Sequence, residues 1–180
     1  MRRLGMSIAV IALVSAASIV LAQGFKQISE ILTGYEEVPA VSTTGNGTFN
    51  ATISKDGSRI DWELSYADTQ SAVQQAHIHL GQKDVNGGIS VFLCTNLGNG
   101  PAGIQPCPAA PATISGTIFA ADVSPNIPAT AAARGQGLNT GEIEELIQAI
   151  RAGMTYVNVH TTAIPTGEIR SQISKDHRHP

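Results

Sequence analysis

Positive charge is scarce in this sequence, with eleven Lys and Arg against fourteen Asp and Glu. No basic patch and no interleaving of aromatic with basic residues is present, so nucleic-acid binding lacks its electrostatic drive. Cysteine is nearly absent: Cys94 and Cys107 are the only two, which excludes cysteine-rich repeats. There is no glycine-rich phosphate loop, no heptad pattern and no second domain. No nucleophile elbow or Ser-His-Asp order appears either. Only one long apolar run exists, and it lies at the N-terminus.

That run follows Arg2 and Arg3 and covers residues 6–21, with Val20 and Ala22 at minus three and minus one of a cleavage site before Gln23. This is the pattern of a secretory signal peptide, residues 1–22. An uncleaved membrane anchor is the alternative, since the run nears the length of a spanning helix. No cysteine follows Ala22, which argues against a lipid anchor. Removal of residues 1–22 takes away two basic and no acidic residues, leaving 158 residues with net charge −5. That length supports one domain with a single core. The expected location is secreted, periplasmic or cell-surface, with membrane contact only through an uncleaved signal. In such a compartment Cys94 and Cys107 most simply form one disulfide. Closing a loop of that size stabilises by about 3 kcal/mol. Two metal thiolates would instead need a CxxC-like spacing or a nearby histidine pair.

Short alternating runs separated by turn signals dominate the rest. Phe49, Ala51 and Ile53 alternate with polar residues, Asp56-Gly57 marks a turn, and Ile60, Trp62, Leu64 and Tyr66 alternate again. This predicts a β-hairpin with one buried face. Asn46 and Asn50 each open an N-x-Thr sequon on it. Further strands are expected in QQAHIHLG, ISVFL, ATISGTIFA, TYVNVHT and GEIRSQI, with residues 121–140 a long connection. One helix stands out: Ile143, Leu146, Ile147 and Ile150 follow helical spacing, with Thr140 as the expected cap and Gly153 as the stop. The architecture expected is mostly β, a sandwich or barrel of about seven to nine strands with one short helix.

Two of the five histidines stand one residue apart in AHIHLG, residues 76–81. Alternate strand residues share a face, so His77 and His79 point one way and Ala76, Ile78 and Leu80 the other. By the same rule Tyr156, Asn158 and His160 oppose Val157 and Val159, and Glu168 and Arg170 oppose Ile169 and Ser171. If these strands are neighbours in register, the histidines, Glu168 and Arg170 form one cluster.

LTGYEEVP (residues 32–39), AHIHLG, YVNVHT (156–161) and PTGEIRSQI (165–173) occur in an order that resembles the CHRD domain, the chordin-type module found singly in exported microbial proteins. The resemblance covers about residues 32–174, leaving 175–180 as a tail. It implies an immunoglobulin-like or superoxide-dismutase-like β-sandwich. Ser171 stands where the family commonly has Gly, and the Cys94–Cys107 loop is an elaboration. Growth-factor binding by chordin is associated with separate cysteine-rich repeats, so it is not carried over.

Three functions remain open. The first is a non-enzymatic extracytoplasmic binding module with copper or zinc held by His77, His79 and His160. Glu168 and Tyr156 are the candidates for a fourth ligand; Tyr156, Asn158, Glu168 and Arg170 form the surrounding polar set. The same residues also fit a hydrogen-bonded strand face that serves only the fold, with Glu168 and Arg170 in a charged ladder. The second is a superoxide-dismutase-like copper enzyme, although the dismutases use more histidines. The third is a structural cell-surface module that presents the loops at 94–112 and 121–140 to an extracytoplasmic partner. The tail carries a second H-x-H pair, His177 and His179, for which a solvated terminus is the expectation and stray metal binding the alternative.

Overall fold

The computed structural model describes residues 27–173. The signal segment and the tail histidines lie outside the described residues. Eight strands form: β1 (Gln27–Thr33), β2 (Asn46–Ile53), β3 (Ile60–Ala67), β4 (Val73–Leu80), β5 (Gly88–Thr95), β6 (Ala112–Ile118), β7 (Thr155–Thr161) and β8 (Ile169–Ile173). They pair antiparallel in one nearly closed sheet of order β5-β4-β7-β8-β1-β2-β3-β6. The mostly β class and the strand number therefore agree with the sequence. The two four-stranded halves are continuous through one bridge, Thr33 to Arg170.

Alternation explains the core. The β2–β3 hairpin pairs Phe49 with Leu64 and Ala51 with Trp62, and its turn uses Gly57 at φ +72°. Ile28, Leu32, Phe49, Leu64, Ile78, Val157 and Ile169 belong to one buried apolar cluster, so both halves share a single core. Asn46 and Asn50 lie on the exposed row of β2.

The expectation of one helix is corrected to two. The stretch read as a connection contains α1 (Ala131–Gly135), which precedes α2 (Ile143–Ala152). α1 carries too few large apolar residues to show a helical stripe; of its residues only Ala133 is buried. α2 buries Ile143, Leu146, Ile147 and Ile150 as the spacing predicts, and Gly153 ends it at φ +74°. Thr140 does not cap it. Its hydroxyl donates to Ser124 O at 2.7 Å, and the Glu142 carboxylate instead accepts from Asn139 N at 2.7 Å.

The sheet edges are β5 and β6. Cys94 and Cys107 form the expected disulfide, 2.00 Å between sulfurs. It anchors a loop whose Gln105 side chain donates to Leu93 O of β5 and to Ser115 O of β6, at 3.1 and 3.2 Å. The loop thus spans the seam and satisfies edge carbonyls that would otherwise invite pairing with another chain. β5 also bulges twice against β4, because Leu93 and Ser90 have no partner in the register. Bulges bend a strand and re-aim its neighbours. Both fall beside the histidines: Ala76 and His77 flank one and Ile78 and His79 the other.

Candidate metal centre

β7 pairs with β4 on one side and β8 on the other. The register places His77 opposite Asn158, His79 opposite Tyr156 and Gln75 opposite His160. The row expected to be polar and shared is shared. It is not open to water: His77 is 0% exposed, His79 and His160 are each 7% exposed, and Tyr156, Asn158 and Arg170 are buried. Two segments cover it. Residues 34–41 bring Glu37 over the row, and residues 81–87 fold back from the end of β4. Asn86 ties them together by donating to Val38 O at 2.8 Å.

Each histidine offers one ring nitrogen to a set in which all three atoms lie within 4.8 Å of one another. Two tautomers follow from the partners. His79 Nδ1 lies 3.0 Å from Gly87 O, and His160 Nδ1 lies 3.0 Å from Pro165 O. A backbone carbonyl only accepts, so both Nδ1 atoms carry the proton and both Nε2 atoms keep a lone pair. His77 Nδ1 then donates to His160 Nε2 at 3.3 Å. This leaves His77 Nε2 and His79 Nε2 buried with no hydrogen-bond partner. An unsatisfied buried polar atom costs roughly 1–3 kcal/mol.

Burial also sets the charge. Desolvation holds His77 well below the usual imidazole value, and the neighbouring His79 and His160 add to the shift. Desolvation pushes His79 down to about 3, opposed by the Gly87 carbonyl. His160 is lowered by the same cause, opposed by Pro165. All three are therefore neutral near neutral pH, the form that ligates.

Aromatic packing fixes the rings. Phe92 meets His77 edge-on at 4.5 Å between centroids, and Tyr156 stacks on His79 at 4.6 Å and 4°. From the β8 side the Arg170 guanidinium carbon lies 3.4 Å from the Tyr156 ring centroid. Arg170 also donates to Asn86 Oδ1 and Val85 O. His79, Tyr156 and Arg170 thus form a layered stack, with a fixed positive charge one ring away from the histidines.

Glu168 departs from the strand rule. It precedes β8, after Gly167 at φ +127°, so alternation does not govern it. Its carboxylate accepts from Thr43 Oγ1 at 2.6 Å, Gln70 N at 2.8 Å and Thr161 Oγ1 at 2.7 Å. It clasps three segments and joins neither the histidine set nor a ladder with Arg170.

The carboxyl that does approach the site is Glu37, which strand reasoning passed over because it lies in a covering segment. The Asn158 side-chain amide lies between Glu37 Oε1, at 3.5 Å, and His160 Nε2, at 3.0 Å; because His160 Nε2 keeps its lone pair, the amide turns its NH2 to that nitrogen and its oxygen to the Glu37 carboxyl. Burial raises Glu37 to about 7, partly offset by the charge of Arg170. Gly167 makes room for it: a Cβ there would lie 2.3 Å from Glu37 Oε1. The only sequence signal was its place in GYEEVP.

Comparison with curated proteins and with solved structures gives no significant match. The family model of the CHRD domain matches residues 28–173, a span that begins in β1 and ends with β8. With that match extending over most of the chain, the protein belongs to the CHRD domain family.

Proposed function

We propose that the chain is an exported, non-enzymatic binding module whose His77, His79 and His160 hold one transition-metal ion. The observation that carries this reading is the pair of buried, unpartnered Nε2 atoms on His77 and His79. They sit in a set of neutral imidazoles: Gly87 O and Pro165 O hold the other nitrogens of His79 and His160, while His77 Nδ1 rests on His160 Nε2 and releases it when that nitrogen takes the ion. Carbonyl partners on the far nitrogen are the usual means of orienting a ligating histidine. Around a tetrahedral ion with metal–nitrogen distances near 2.1 Å, donor atoms stand roughly 3.4 Å apart. The present spread of 4.8 Å would therefore contract by about an ångström or more. The disulfide and the signal-like N-terminus support an oxidising, extracytoplasmic location. A sandwich of superoxide-dismutase type is compatible with the two sheet halves, but three histidines with no further ligand among the described residues favour binding over turnover.

The test is metal content after purification without added metal, followed by titration with copper and zinc. The His177→Ala/His179→Ala background removes the tail pair. One equivalent is expected to bind, and His77→Ala or His160→Ala in that background is expected to abolish it. Absence of stoichiometric binding by any of these ions would refute the site.

A further inference from the structure

We propose that the site selects copper(I), a monovalent ion, over zinc(II) and copper(II). The proposal rests on reading the three histidines as a metal site and concerns which ion that site accepts. The donor set consists of neutral imidazoles alone, with no carboxylate or thiolate among the described residues that form it. The two buried carboxyls nearby have other partners. Glu168 is bound to Thr43, Gln70 and Thr161, and Glu37 lies against Asn158 and under the charge of Arg170. Arg170 is itself 1% exposed and stacks on the ring that stacks on His79.

An ion bound among these buried histidines leaves its water behind. The penalty for doing so rises with the square of its charge, and no anionic ligand compensates it. The Arg170 guanidinium adds repulsion that is twice as large for a dication as for a monocation, and the Glu37 carboxyl beside Asn158 offsets only part of it. Coordination number points the same way. Structural zinc completes four protein ligands, and catalytic zinc keeps an accessible water in the fourth place. Here three donors are buried beneath residues 34–41 and 81–87, with Phe92 forming an apolar wall at His77. Copper(I) is satisfied by the low coordination number of such a set. Charge and coordination number make the selection, since imidazole as a ligand type suits both zinc and copper.

The experiment uses the full chain carrying His177→Ala/His179→Ala. Copper(I) is supplied anaerobically from a chromophoric chelator of known affinity, and zinc(II) and copper(II) are each titrated separately under matched buffering. One equivalent of copper(I) is expected, bound at least about 100-fold more tightly than either dication. X-ray absorption of the loaded protein should show nitrogen donors and no sulfur. His79→Gln should lose the copper(I) while keeping the strand-type circular dichroism of the parent. Dication binding as tight as copper(I), or sulfur in the copper shell, overturns the selectivity while leaving a metal site in place. Failure of all three ions to bind overturns both readings.

Discussion

His79→Gln also tests the electrostatics of the metal-free fold. An unfolded chain carries this imidazole with a pKa of about 6.5, whereas burial in the fold lowers it to about 3. A depressed histidine leaves stability whole above pH 6.5 and removes it as pH falls, because only the unfolded chain takes up the proton. Between pH 7.5 and 4.5 the unfolded state gains nearly one proton at this residue and the folded state almost none. At 1.36 kcal/mol per unit over about two units, the fold loses about 2.7 kcal/mol from His79 alone. Glu37 acts in the opposite sense. Its folded value is raised to about 7, so its contribution is present at low pH and is lost as pH rises through that value. Over the same window acidification restores roughly 2.8 kcal/mol through Glu37. The two nearly cancel, and the net acid sensitivity of the parent falls to His77 and His160, both depressed by burial. The informative quantity is the stability difference between parent and variant. Urea denaturation of metal-free protein at pH 7.5, 6.5, 5.5 and 4.5 measures it. The variant should gain about 2.7 kcal/mol on the parent between the first and last pH. A difference that stays constant across the series would mean that His79 titrates normally in the fold, and the account of a buried neutral imidazole would fail.

Glu37→Gln should drift the other way in the same assay, losing ground on the parent as pH falls from 7.5 to 4.5; a drift of the same sign as His79→Gln would contradict the raised value. Cys94→Ser/Cys107→Ser should lower unfolding free energy by about 3 kcal/mol, read by chemical denaturation, since the bond joins cysteines thirteen positions apart. The same substitution should promote concentration-dependent association, read by light scattering, as Gln105 leaves the carbonyls at the seam. Glu168→Ala should cost roughly 3–5 kcal/mol, because it leaves two hydroxyls and a backbone N–H unpaired. Any Glu168→Ala protein that folds should retain metal stoichiometry, which binding assays can check against His160→Ala.

How much of this could be read from the chain depends on what a strand period reports. Alternation identifies which side chains share a face, and it placed Phe49 with Leu64 in the core and His77 with His79 on the other row. It failed where the inward row is not apolar. β1 shows no apolar alternation because buried Glu30 stands between Ile28 and Leu32 while Ile31, 67% exposed, points outward. It failed again where the chain leaves the strand, since Gly167 turns Glu168 toward Thr161 and away from His160.

Above all, a period says nothing about what lies over a face. The sequence shows the histidine row only as a polar strand face, because the residues that bury it lie in 34–41 and 81–87, segments with no period of their own. Glu37 and Gly87 come from those segments, and they decide the chemistry. Gly87 O fixes the His79 tautomer, and Glu37 brings a titrating carboxyl to Asn158. Without the cover, three histidines on a β face would be ordinary hydrated imidazoles with pKa values near 6.5. With it, they are neutral and buried, and two of their lone pairs have no hydrogen-bond partner. The step from a polar stripe to a candidate ion site is thus made by the covering segments, so loosening them should weaken metal affinity even with all three histidines intact. Asn86→Ala, which removes the tie to Val38 and one partner of Arg170, is the substitution in which that dependence should appear. Its copper affinity should fall by roughly tenfold, the equivalent of one hydrogen bond of about 1.4 kcal/mol, and an unchanged affinity would show that the cover does not hold the site.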